Sequence, residues 1–157
     1  MFKRVMWATD GLAAADMALP YAKALVPRDG VLLAVHCSEL FVGGKGSGYP
    51  VRADEQDLQA RIRTEVAQAR DEGIAVELTF ASVGGVGPAH RIAETAAELG
   101  ADVLVVGTRG HGAISGLLTG NTTRQLLHLA PCPVFAVGPG AKPVVHRRSE
   151  PALKAAA

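Results

Sequence analysis

The sequence predicts a doubly wound α/β domain, with a mainly parallel five-stranded sheet and helices on both faces. Three observations carry this. Short apolar runs alternate with longer stretches of helical period along the chain, in the order βαβαβαβαβ. The second run, Val31-Leu32-Leu33-Ala34-Val35, is apolar without alternation, as expected of a strand covered on both faces. Glycine and proline fall at the joints, with Gly73 and Gly100 closing helical stretches and Pro88 opening one.

The elements follow in order. Val5-Met6-Trp7-Ala8 is the first strand, ending at Thr9-Asp10-Gly11. Leu12 to Val26 is an alanine-rich helix with Leu19, Ala22 and Leu25 on one side, and Pro20 inside it is expected to kink it or shift its start. Val31 to Val35 is the second strand. Residues 41–54 break the rhythm, and Gly43-Gly44-Lys45-Gly46-Ser47-Gly48 reads as a flexible loop. The loop from Phe41 to Arg52 leaves the carboxyl end of the second strand, which places it as a candidate lid over any ligand there. Asp54 to Glu72 is a helix with Leu58, Ile62 and Val66 at four-residue spacing. Ile74 to Phe80 alternates as a third strand, and Gly84-Gly85-Val86-Gly87 turns the chain into a helix striped by Ile92, Ala96 and Leu99. Asp102 to Val106 is the fourth strand and the most central-looking. After a long glycine-rich segment, Thr123 to Leu129 is a short helix, Pro131-Cys132-Pro133 resets the backbone, and Val134 to Val137 is the fifth strand. The domain is expected to span 1–138. Residues 139–157 read as a mobile tail, with helix an option only at Ala152 to Ala157.

Composition narrows the function. Apolar residues make up 48% of the chain, enough for one core, and the formal net charge is +1, unlike the basic footprint of a nucleic-acid binder. Cys37 and Cys132 lie in apolar strand-like runs and read as buried free thiols, with no spacing for zinc. Asp10 and Gly11 interrupt the first apolar stretch before it forms a signal-peptide core, and no run approaches a membrane span. The expected location is the cytoplasm, with no membrane and no nucleic-acid partner.

Ligands of open α/β sheets bind at the carboxyl ends of strands, where strand order reverses. Two strand ends here carry unusual chemistry: Thr9-Asp10-Gly11, and the segment from Gly107-Thr108-Arg109-Gly110-His111-Gly112 to Gly120-Asn121-Thr122-Thr123. Glycines let the backbone approach an anion, and the helix that follows presents free N–H groups and the positive end of its dipole. Asn121, Thr122 and Thr123 can cap that helix and donate to phosphate oxygens, while Arg109, His111 and Arg124 lie nearby in sequence. The alternative is a strand-to-helix connection capped by polar residues. No GxxxxGK[ST] loop follows a strand, and the first strand-to-helix turn lacks GxGxxG. Asp10 suits a hydrogen bond to adenine or ribose, or a water-mediated hold on Mg²⁺, and is compatible with capping the first helix. His111 reads as a solvated loop residue. His36 reads as structural, at the edge of the ligand end, and Trp7 as core.

These residues resemble the universal stress proteins from Phe2 to Val137. The hallmark Gly-x2-Gly-x9-Gly-[Ser/Thr] matches at Gly107, Gly110 and Gly120. Asp10-Gly11, Gly87-Pro88-Ala89, Gly100-Ala101-Asp102 and Ala130-Pro131-Cys132-Pro133-Val134 match the words around it. The resemblance implies the sheet order 3-2-1-4-5 of the adenine nucleotide alpha hydrolase-like fold, which brings Asp10 and Gly107 to the two sides of one crevice. It implies an adenine nucleotide, ATP foremost, as the ligand. Ala8, Thr9, Asp10 and Val35 would meet adenine and ribose. Val106, Gly107 and Gly110 would line the pocket, and Gly120, Asn121, Thr122 and Thr123 would hold phosphates; Arg109 remains a candidate ligand contact from its place in the sequence. Two residues depart from the family pattern. Asn121 stands where the motif has Ser or Thr, which removes a hydroxyl ligand for a metal, and Leu12 stands where members often carry Ser.

The resulting expectation is an ATP-binding stress protein acting as a sensor or regulatory module. A slow ATPase and a scaffold without nucleotide are the alternatives. No catalytic residue is assigned, because no Walker lysine, second acidic metal ligand or general base is evident. The resemblance also implies a homodimer paired through the fifth strand, whose apolar edge needs cover.

Overall fold

A computed structural model describes residues 2–38, 51–108, 121–142 and 144, with only the backbone described for 51–54. The elements are β1 (Arg4–Thr9), α1 (Ala13–Leu25), β2 (Val31–Ser38), α2 (Val51–Asp71), β3 (Val76–Ser82), α3 (Pro88–Glu98), β4 (Val103–Gly107), α4 (Asn121–Leu129) and β5 (Val134–Val137). All strand pairs are parallel, and the sheet order is β3-β2-β1-β4-β5. The chain thus reverses its direction of winding between β1 and β4. That is where the two strand ends singled out by their chemistry come to lie side by side, with Ala8 opposite Val106.

The period of two along each strand splits the core into two layers. On one face Val5, Trp7, Leu32, Ala34, Val103 and Val105 pack under α1 and α2, against Ala18, Ala22, Ile62 and Val66. On the other, Met6, Ala8, Leu33, Val35, Leu104 and Val106 pack under α3 and α4, against Ala89, Ala93, Ala96 and Leu126. Small residues on α1 and α3 let both helices approach the sheet closely. Trp7 is fully buried, and its indole N–H donates to the Ala15 carbonyl at 2.9 Å, which ties the first turn of α1 to the middle of the sheet.

Several boundaries differ from the sequence expectations. The central strand is β1, and β4 lies beside it. α1 runs unbroken through Pro20, which lies on the exposed side of the helix. α2 begins at Val51, so the end of the expected 41–54 loop is helical. β2 continues to Ser38, because His36 is buried and satisfied inside the sheet despite its polarity. Residues 41–50 of the candidate lid lie outside the described residues. So does 145–157 of the expected tail. The described start of that tail is held in place: Ala141 packs against the core, and the Tyr21 hydroxyl donates to the Lys142 carbonyl. Among the described residues no helix is long and apolar enough to cross a membrane.

Candidate functional site

The turn after β1 is built by its own short polar side chains. Thr9, 5% exposed, accepts the Gly11 N–H on Oγ1 at 3.0 Å. Asp10 accepts the Leu12 N–H on Oδ1 at 2.9 Å. Leu12 occupies the N-cap position of α1 and offers no side-chain acceptor, so Asp10 supports the helix start through the cap residue's amide rather than as the cap itself. Gly11 takes φ +71°, a left-handed conformation that suits glycine.

Beside this turn lies a cavity of about 650 Å³. β1 contributes Ala8 and Thr9, and the turn after it Asp10. β4 contributes Val106 and Gly107. Asn121, Thr122 and Thr123, the first turn of α4, complete the polar part of the wall. Volume and lining are those of a small-molecule site: a mostly apolar floor with a few convergent polar groups. Three helices point their N-termini into it, α1 through Ala14 and Ala15, α3 through Pro88, and α4 through Asn121. The positive dipole ends of these helices make such a convergence favourable for an anion, although Pro88 brings no N–H and the Ala15 N–H already donates to the Leu12 carbonyl.

Of the residues singled out by sequence, Ala8, Thr9, Asp10, Val106, Gly107, Asn121, Thr122 and Thr123 meet at this cavity. Val35 does not line it; it is 1% exposed and packs with Met6, Ala8 and Leu104. Because β2 extends further than its apolar run, Cys37, on the same face and two residues nearer the mouth, lines the cavity instead. Arg109, Gly110 and Gly120 lie outside the described residues, as does His111.

Sequence reasoning missed part of the wall. Leu58 of α2 lies so close to Gly11 that a methyl group there would come within 2.5 Å of its Cδ2. Ile92 and Leu126 add apolar floor from α3 and α4. Pro88 had been read only as a helix start, yet a helix beginning after the carboxyl end of a strand necessarily faces the ligand end of the sheet. Burial pushes the Cys37 thiol up to about 11, with Arg91 opposing weakly, so the cavity presents it as a neutral, weakly polar group.

His36 connects this site to α2. Its Nδ1 lies 2.8 Å from the Thr9 carbonyl and its Nε2 lies 2.9 Å from Glu55 Oε1. The same Glu55 oxygen accepts the Gln59 amide at 3.0 Å. The ring is buried, with 5% of its side chain exposed against 22% for Glu55.

Comparison with known proteins agrees with this architecture. A universal stress protein of Thermus aquaticus, encoded in the QAH/OAS sulfhydrylase 3′ region, is 32% identical over 138 residues, covering 87% of this chain and 99% of that one. The Arabidopsis thaliana universal stress protein family structure with AMP bound superposes with a TM-score of 0.62 at 18% identity, over 87% of this chain and 90% of that one. The Archaeoglobus fulgidus universal stress protein in complex with dAMP superposes with a TM-score of 0.59 at 21% identity, over 87% and 98%. At these identities the two structures speak for the fold. The family model described as the universal stress protein family matches residues 1–138, and with that match the chain belongs to the universal stress protein family.

Proposed function

We propose that this chain is an adenine-nucleotide-binding module, with ATP as its ligand, that reports nucleotide occupancy to partners. The observation that carries the reading is the convergence of three helix N-termini and the Thr9-Asp10 turn on one cavity at the β1/β4 reversal. Relatives of the same fold bound to AMP and to dAMP support the choice of an adenine nucleotide. In this reading Thr9 and Asp10 hold the nucleoside end, over a floor of Ala8 and Val106. Asn121, Thr122 and Thr123 donate to phosphates, joined by Arg109, Gly110 and Gly120. In this reading Mg²⁺ enters as the counter-ion of the triphosphate.

Occupancy stabilises the fold by mass action and biases the surface around the site. Hydrolysis is expected to be far below ordinary enzyme rates, under about one turnover per second, because Asp10 is assigned to the nucleoside end and is poorly placed to direct attack on the terminal phosphate. The two free cysteines suit a reducing cytoplasm. Phe135, 41% exposed on the edge strand β5, supports a homodimer paired through that strand, and a monomer by sedimentation at micromolar concentration would remove the dimer.

Isothermal titration with ATP, ADP and AMP, with and without Mg²⁺, tests the ligand. Saturable binding that is lost in Gly120→Val is the expected result. Absence of binding by all three, with no nucleotide co-purifying by native mass spectrometry, overturns the reading.

A further inference from the structure

The contacts of His36 fix its protons. The Thr9 carbonyl can only accept, so Nδ1 carries a hydrogen. If the ring were neutral, Nε2 would then present a bare lone pair to Glu55 Oε1 at 2.9 Å, two acceptors facing each other. The observed contact needs one proton more than a neutral imidazole and a free carboxylate together hold. With that proton on Nε2, His36 donates to both neighbours, and Glu55 remains free to accept the Gln59 amide.

The pair sits where it can move a wall of the cavity. Among its described side chains, α2 buries Ile62, Val66 and Ala69 against the sheet, all on the C-terminal side of Leu58. Toward its N-terminus, Leu58 rests on Gly11, and Glu55, one turn earlier, reaches His36. Among the described residues, Glu55 is the charged side chain bonded to the His36 ring, and the elements packed nearby carry further charges. α2 supplies Glu55 and, across the Phe80 ring that His36 meets edge-on, Arg63. The β1 turn supplies Asp10, which accepts from Leu12 N–H. On α1, Asp16 is taken up by Arg61 of α2 at 3.0 Å. β3 places uncharged Phe80 opposite His36 in register.

We propose that His36 and Glu55 are positioning residues that form a proton-dependent latch, seating the N-terminal half of α2 against the β1 turn and so shaping the nucleotide cavity. The proposal rests on the nucleotide reading of that cavity for its effect on binding, while the latch itself stands on the geometry alone. When the proton is lost, the carboxylate and the bare nitrogen repel. Glu55 then leaves the ring, Leu58 loses its seat on Gly11, and the cavity opens on the α2 side. The latch is therefore closed at lower pH and released as pH rises.

The test uses the full chain and reads hydrogen-exchange protection factors at amides 55–59, ¹⁵N shifts of the His36 ring, and AMP affinity. All are followed between about pH 5.5 and about pH 8.5, the range over which imidazoles exchange their proton. Protection at 55–59 should fall about tenfold across this range in the wild type and stay flat in Glu55→Gln, whose amide can donate to a neutral Nε2 at every pH. AMP affinity should weaken with pH more in the wild type than in Glu55→Gln. The difference between the two removes the contribution of AMP's own phosphate, which ionises near about pH 6. Equal pH dependence of protection in the two proteins overturns the latch. So does a His36 ring that loses its proton in the wild type while protection at 55–59 is unchanged, a result that needs no variant. If AMP fails to bind at any pH while protection follows the expected course, the nucleotide reading falls and the latch stands. If AMP binds with identical pH dependence in both proteins, the coupling to the cavity falls and the nucleotide reading stands.

Discussion

Gly107 lies so close to the first turn of α1 that a methyl group in place of its hydrogen would sit 1.8 Å from the Ala14 carbonyl oxygen. The obstacle is backbone, and it cannot rotate aside. The same turn is held from below by Trp7, whose indole donates to the Ala15 carbonyl at 2.9 Å. Gly107 is therefore required by helix-to-sheet packing whatever its contact with a ligand. Gly107→Ala should cost about 3 kcal/mol in urea unfolding, the upper range for forcing atoms into a packed interior. A loss below about 1 kcal/mol would show that α1 slides away from β4 without resistance.

Gly11 and Leu58 make a contrasting pair. Here the group a methyl would meet is the end of a flexible side chain, at 2.5 Å, and the backbone is at φ +71°. The cost of Gly11→Ala should split accordingly. About 1 kcal/mol belongs to the left-handed conformation and persists in any background. A further ~1 kcal/mol belongs to the displaced leucine and should vanish in a Leu58→Ala protein. A double-mutant cycle in urea measures the split, and strict additivity would deny the contact.

The order of elements was readable because each strand and helix here carries its own period and its own punctuation, as Gly87-Pro88 and Gly100 do. What the sequence could not show is pairing between distant residues. His36 ends the apolar run of β2, and only its bonds to Thr9 and Glu55 explain why a polar ring continues the strand and brings Cys37 to the cavity. Val35 was assigned to the site from the family pattern; the strand's true length leaves it in the core. The packing role of Gly107 was not legible, since a close approach by the carbonyl of another element leaves no trace in local sequence.

Glu65 makes stability fall with rising pH. Burial first, and then the charge and hydrogen-bonding presence of Asp16, push its carboxyl up from 4.5 to about 7, with Arg61 opposing. The inward oxygens Asp16 Oδ1 and Glu65 Oε2 are buried with no donor beside them, and a proton on Glu65 supplies one. In the unfolded chain that proton leaves near pH 4.5, whereas the folded protein keeps it to about pH 7. Between those limits the folded state binds more protons, so its stability declines as pH rises and the contribution is gone above the folded value. Glu65→Gln should match the wild type in acid and exceed it at pH 8 by about 1 kcal/mol, after allowing for solvent screening at a half-exposed site. Parallel curves of unfolding free energy against pH for the two proteins would sink this assignment.

Cys37 offers a direct reading of the cavity. With its thiol at about 11, it holds about one part in a thousand as thiolate at pH 8, so iodoacetamide should label it about a hundredfold more slowly than an exposed cysteine. Labelling should accelerate as pH rises toward the thiol's own value. Cys132 packs in the same core layer under α4 but does not line the cavity, and its thiol is likewise raised by burial. It therefore serves as an internal control. Saturating AMP should slow labelling at Cys37 and leave Cys132 unchanged, read site by site by peptide mass spectrometry. Equal protection at both would mean that nucleotide tightens the whole fold rather than filling the space between β1, β4 and α3. Protection at Cys37 alone would place the ligand against β2, where the extra length of that strand puts the thiol.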